Sequence, residues 1–93
     1  MRESTVENFL SKKVKEKKGL SLKFVSPGLD GVPDRIILLK NWKMAFAETK
    51  APGKKLRILQ LKRKSQIESL GFKVFVIDNV EMIEGVLNEI QST

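Results

Sequence analysis

The sequence contains no cysteine and no histidine. The first absence excludes a disulfide framework and a thiolate zinc site. The second excludes imidazole metal ligands and every mechanism that uses histidine as the general base. Any catalysis by this chain must therefore rest on carboxylates, lysines or metal-bound water. Long apolar runs are missing as well. The longest, at residues 36–39 and 74–77, are far too short to span a bilayer, and Met1-Arg2-Glu3-Ser4 opens no signal-peptide pattern. A cytoplasmic protein with no membrane partner is expected. There is no internal repeat, low-complexity linker or long charged tail, and 93 residues of which 41% are hydrophobic suit one domain, residues 1–93, that buries a core unaided.

What the chain does have is positive charge. Eighteen Lys and Arg against eleven Asp and Glu give a net charge of +7, so the average surface attracts polyanions, of which duplex DNA is the commonest that a small basic domain meets. Ribosomal proteins and binders of anionic membranes share this balance, so the positions of the charges must decide.

Over residues 4–18 the apolar Val6, Phe9, Leu10 and Val14 recur at three- and four-residue spacings, which predicts an amphipathic helix closed by Gly19 as its C-cap residue. Leu20, Leu22 and Phe24 alternate with other residues as a strand. Residues 26–33 hold two prolines and two glycines and form a loop, with Asp34 at its exit. Residues 35–40 contain an Ile-Ile-Leu-Leu run, expected as a strand buried on both faces, and residues 43–50 pair with it across a short turn at Asn41 and Trp42. Beyond a second loop at 51–55, Ile58, Leu61, Ile67 and Leu70 mark the apolar stripe of a helix closed by Gly71. A strand at 72–77 comes next, then a terminal helix over 80–90, capped by Asp78 or Asn79. The order α-β-β-β-α-β-α predicts an α/β fold, a mixed β-sheet flanked by helices, in which the Glu48 strand and the Phe72 strand run parallel.

Glu48 and Lys50 stand two apart in a strand, so both side chains project from one face while Thr49 points away. In isolation this is an ordinary ion pair at a strand end. Asp34 changes the balance because it starts the neighbouring strand. An odd-numbered or bulged connection sets it opposite Glu48 on the same face, whereas a two-residue turn would oppose it to Thr49; the odd connection is expected. Two adjacent carboxylates repel unless something positive lies between them, and without histidine a hard divalent cation, Mg2+ or Mn2+, is the natural candidate. Lys50 would orient water or stabilise charge on a phosphate. Pro33 favours an extended approach to the strand, and Gly31 would let backbone come close to a phosphate. On the first helix Glu7, with Glu3 less favoured, is the candidate third acid. Lys54, Lys55, Gln60 and Lys64 suit phosphate positioning, whereas Lys62 and Arg63 read as solubilising surface.

The ordered set Lys23-Phe24-Val25-Ser26-Pro27-Gly28, Gly31-Val32-Pro33-Asp34-Arg35, Glu48-Thr49-Lys50-Ala51-Pro52-Gly53-Lys54-Lys55 and Gln60 closely resembles the stand-alone VRR-NUC domains of the PD-(D/E)XK nuclease superfamily over nearly the whole chain. The resemblance implies a restriction-endonuclease-like core and a metal held by Asp34, Glu48 and the main-chain carbonyl of Thr49. It further implies Lys50 as catalytic lysine, Glu7 as the helix-one acid, Gln60 as the second-helix glutamine, and Lys23, Ser26 and Arg35 among the DNA contacts. It also implies a homodimer that cuts branched DNA such as four-way (Holliday) junctions, in a bacterial or phage setting. Thr49 departs from the apolar residue usual between the Glu and the Lys. Two other readings fit the charge: a non-catalytic basic nucleic-acid-binding module, and a nuclease subunit serving a separately encoded helicase.

Overall fold

Val6, Leu10 and Val14 lie four residues apart and are fully buried, the three anchors of helix α1 (Glu3–Glu16). Ile83, Val86, Leu87 and Ile90 do the same for α3 (Ile83–Gln91). Both helices pack on one face of a four-stranded sheet made of β1 (Leu20–Lys23), β2 (Arg35–Leu38), β3 (Met44–Thr49) and β4 (Val74–Ile77). The sheet contributes Ile37, Leu39, Ala45, Ala47 and Ile77 to that core, and each large side chain buried there contributes roughly 1.5–3 kcal/mol. The structure is a computed structural model that describes all of residues 1–93. The strands lie in the order β1-β2-β3-β4, antiparallel except for the parallel β3–β4 pair joined through helix α2 (Ile58–Ser69). Element order and sheet are those expected. A single 3₁₀ turn (Val80–Met82) leads into α3, and the Asn79 side chain caps it by accepting from the Glu81 N–H at 2.8 Å. No helix is long and apolar enough to cross a membrane.

Three local expectations are corrected. Helix α1 does not end on a glycine: Lys18 takes the left-handed conformation (φ 62°), with bonds Gly19 N–H to Val14 O (3.0 Å) and Lys18 N–H to Lys15 O (2.9 Å) closing a Schellman motif. Gly19 is required for space, since a Cβ there would sit 2.4 Å from Leu38 O. The run at 36–39 is buried on one face only: Ile37 and Leu39 are in the core, while Ile36 and Leu38 lie half-buried on the second face. The reason is helix α2, whose apolar stripe does not cover that face. Ile58 is 87% and Leu70 75% exposed, and the one buried residue of the helix is Gln60.

The β2–β3 hairpin sets the position of Asp34. Leu39 N–H bonds Lys43 O at 2.8 Å, leaving the three-residue turn Lys40, Asn41 and Trp42. Arg35 then pairs with Ala47, and the same register continued by one step sets Asp34 opposite Glu48. The connection is odd-numbered, as the site requires.

Candidate active site

Asp34 lies just past the last β2–β3 pair, while its own carbonyl still accepts from Phe24 N–H (2.8 Å) and so holds it in line with β1. The next hydrogen-bonded pair of the ladder would be Pro33 against Thr49, and it does not form. Proline has no N–H to give, and the Thr49 N–H donates to Asp34 Oδ1 at 3.0 Å. The Thr49 hydroxyl donates to Oδ2 of the same carboxylate at 2.6 Å. One buried residue thus grips both oxygens of Asp34, and the Thr49 main-chain oxygen is left without a ladder partner at the end of the sheet. Thr49→Val should cost about 1.5–3 kcal/mol of stability, the worth of a hydrogen bond to a charged group, with Thr49→Ser restoring most of it. Urea denaturation of the three proteins measures this.

Glu48 sits on the half-covered face of the sheet, almost wholly buried. Its Oε2 accepts from Gln60 Nε2 (3.1 Å) and lies 3.7 Å from Lys50 Nζ. Gln60 is itself fixed, because its Oε1 accepts from the Arg57 N–H at 2.9 Å and so caps the first turn of α2. The glutamine therefore docks the helix and orients the carboxylate together. The loop before Asp34 is bound to the same turn: Gly31 (φ 85°) packs so tightly that a Cβ would lie 2.8 Å from Leu59 O, and Arg63 Nε donates to Asp30 O at 2.6 Å. The neighbour that Gly31 admits is the backbone of helix α2, and Arg63 is a tether, where the sequence suggested only solvated surface.

Burial, with the neighbouring Asp34 charge second, pushes the Glu48 carboxyl up to about 7 against the pull of Lys50; Glu3 adds a smaller push in the same direction. Asp34 is also raised, chiefly by burial, while its Thr49 bonds and Arg35 hold it down and the Glu7 charge adds to the rise. Two carboxylates share the end of the sheet with one ammonium close by, so the pair is short of positive charge.

The other expected residues are distributed differently. Glu7 reaches the sheet but closes on Arg35 (Oε2 to Nη2 3.1 Å, to Nε 3.2 Å), so the helix-one acid and a proposed DNA contact neutralise each other. Lys64 lines the cleft beside Glu48 and Gln60 but pairs with Glu68 at 3.0 Å. Lys23, Lys54 and Lys55 are exposed and free of ion pairs. Ser26 is half-buried in its loop and accepts from the Leu29 N–H through its carbonyl.

No group of three or more Asp or Glu side chains is arranged to hold a metal. Asp34, Glu48 and the unpaired Thr49 carbonyl nonetheless make a hard, all-oxygen donor set. They fit Mg2+ or Mn2+, which need only one or two carboxylates and fill their other positions with water and phosphate oxygens. The Thr49 hydroxyl is the contributor that sequence reading missed.

Comparison with known proteins agrees with this fold. No family model matches the sequence. A relative in Acyrthosiphon pisum secondary endosymbiont phage 1, named "Putative nuclease p44", is 42% identical over 82 residues, which is 88% of each chain. A solved structure named "VRR_NUC domain" superposes with a TM-score of 0.86 over 92% of this chain and 94% of its own, at 23% identity. The chain belongs to the same nuclease family as the phage protein, and its fold is that of the VRR_NUC domain. The exposed Lys54 and Lys55 give the loop after the Glu48 strand a basic surface, which attracts polyanions.

Proposed function

We propose that the protein is a divalent-metal-dependent endonuclease that hydrolyses phosphodiester bonds in branched DNA, four-way junctions included. The observation that carries this is the juxtaposition of Asp34 and Glu48 by the hairpin register, with Lys50 Nζ 3.7 Å from the Glu48 carboxylate. Asp34, Glu48 and the Thr49 carbonyl would hold Mg2+ or Mn2+, which when bound polarises a phosphoryl oxygen and acidifies water. Lys50, on the same face as Glu48, orients the attacking water and neutralises charge developing on the phosphate. Gln60 fixes the Glu48 rotamer, and Thr49 fixes that of Asp34. Lys54, Lys55 and Lys23 position the DNA backbone without reading bases. Labelled flap, fork and four-way junctions incubated with Mg2+ or Mn2+ should be cut, and Lys50→Ala should abolish cutting. No cleavage of any substrate, or undiminished cleavage by that variant, overturns the reading.

Resolving a junction needs two active sites facing two strands, which a twofold dimer supplies. The half-covered face of the sheet supports one. Leu20 and Leu22 are exposed on it, and the Phe24 and Phe46 rings lie on the same face with centroids 5.8 Å apart; apolar surface of this kind marks an interaction site. Light scattering should give twice the chain mass, and Leu22→Lys should give monomers. A wild-type monomer at every concentration tested rejects the dimer.

A further inference from the structure

The end of the sheet remote from Asp34 and Glu48 carries a feature that neither the fold nor the proposed chemistry uses. Trp42, at the tip of the β2–β3 hairpin, is 98% exposed, and its backbone is left-handed, with φ 63°. The largest apolar side chain in the sequence thus stands in water, on a conformation that disfavours any residue with a Cβ and that glycine would adopt without strain. The three-residue turn accounts for the left-handed backbone, but an exposed indole at a place where glycine or asparagine would serve points to a role outside the fold.

Its surroundings say which. Trp42 borders a hollow of about 360 Å³ lined also by Met44, Phe72, Lys43 and Lys73. Lys40 precedes it in the turn, and Lys18 is brought to the same end of the sheet by the contact of Gly19 with Leu38 and Leu39; both are exposed and free of ion pairs. Lys73 is 3.6 Å from Glu89, and Lys43 donates to the Thr93 carbonyl. An aromatic and apolar surface ringed by lysines matches a flat ring that carries a phosphate. A second copy of the chain fits worse, because twofold symmetry would set the same four lysines against each other. Base pairs inside a duplex have no free face to offer.

We infer that Trp42 is a stacking platform for an unpaired base of the DNA substrate, with the unpaired Lys18 and Lys40 holding the adjoining phosphates. The inference rests on the DNA-cleaving reading and sharpens it: among branched substrates, those with a single-stranded or flapped segment gain affinity from the platform. The length of β3 separates Trp42 from Glu48, so the platform lies roughly 20 Å from the site, about six nucleotides along a stacked strand.

Trp42 is the sole tryptophan, so its emission reports the contact directly. The full chain is titrated in EDTA with a flap oligonucleotide, a single strand and a blunt duplex of equal length. The flap and the single strand should quench the emission strongly and the duplex should not. Trp42→Ala should bind the flap roughly five- to hundredfold more weakly and the duplex as before, and Trp42→Phe should recover most of the loss. Flap binding without quenching, or Trp42→Ala binding the flap like the wild type, overturns the platform and leaves the nuclease reading intact. An emission shift that tracks protein concentration without DNA assigns Trp42 to a second copy instead. Failure to bind any DNA removes both readings.

Discussion

Glu48→Gln should cleave branched DNA at least about a thousandfold more slowly than the wild type, while binding it as tightly or more tightly. Glutamine keeps the size of the side chain and can still accept the hydrogen bond from Gln60 Nε2, so helix α2 stays docked and the protein stays folded. What is lost is one of two carboxylates facing the place where a cation would sit, and with it transition-state charge stabilisation of several kcal/mol. What is gained is relief from repulsion between that carboxylate and the incoming phosphate. Single-turnover cleavage beside fluorescence anisotropy on the same labelled junction separates the two effects. A variant that cleaves within tenfold of the wild type would place the chemistry elsewhere.

The metal-free protein should lose stability as the pH rises from 5 to 8, opposite to the behaviour of most carboxylate-bearing surfaces. The Glu48 carboxyl titrates near 7 in the folded chain against 4.5 in its ordinary environment. The folded state therefore binds the proton more tightly than the unfolded state. The corresponding stabilisation is complete below about pH 4.5 and is lost as the pH rises through about 7. A displacement of this size is worth roughly 3 kcal/mol, on the order of 10 °C in Tm for a chain of this length. Asp34, also raised, acts in the same direction. Thermal melts in EDTA at pH 5.0 and 8.0 should show the fall in the wild type and a much smaller one in Glu48→Gln, and Mg2+ should restore the wild type at pH 8.0, above the point at which Glu48 titrates. Equal pH dependence in the two proteins would mean that Glu48 is not strained in the fold. The acidic end of the sheet is thus expected to be a weak point of the protein without metal.

The sequence made the element order, the parallel β3–β4 pair and the parity of the hairpin legible, because each depends on periodicity and connection length. It was also enough to bring Asp34 to Glu48, and Gln60 to Glu48. It did not show where Glu7 goes: helical spacing aims that side chain at the sheet but is silent on Arg35, which intercepts it from the adjacent strand. The stripe on α2 was legible as apolar but not as exposed, since spacing describes a face and says nothing of what covers it. Strict alternation turned Thr49 away from Glu48, which holds inside the strand. Asp34 escapes that rule because it lies beyond the last ladder pair, where its carboxylate reaches round to the threonine hydroxyl.

The three-residue turn at Lys40, Asn41 and Trp42 has a consequence for how such chains can diverge. Surface turns usually gain and lose residues freely, but here one residue more or fewer would exchange the faces of every side chain from 35 to 39 relative to β3, carrying Ile37 and Leu39 out of the core and Asp34 away from Glu48. Viable length changes at this turn should therefore come in steps of two, or be matched by a bulge in the strand. The spacing between Asp34 and Glu48 is heritable information in its own right, as restricted as the two acids that it aligns.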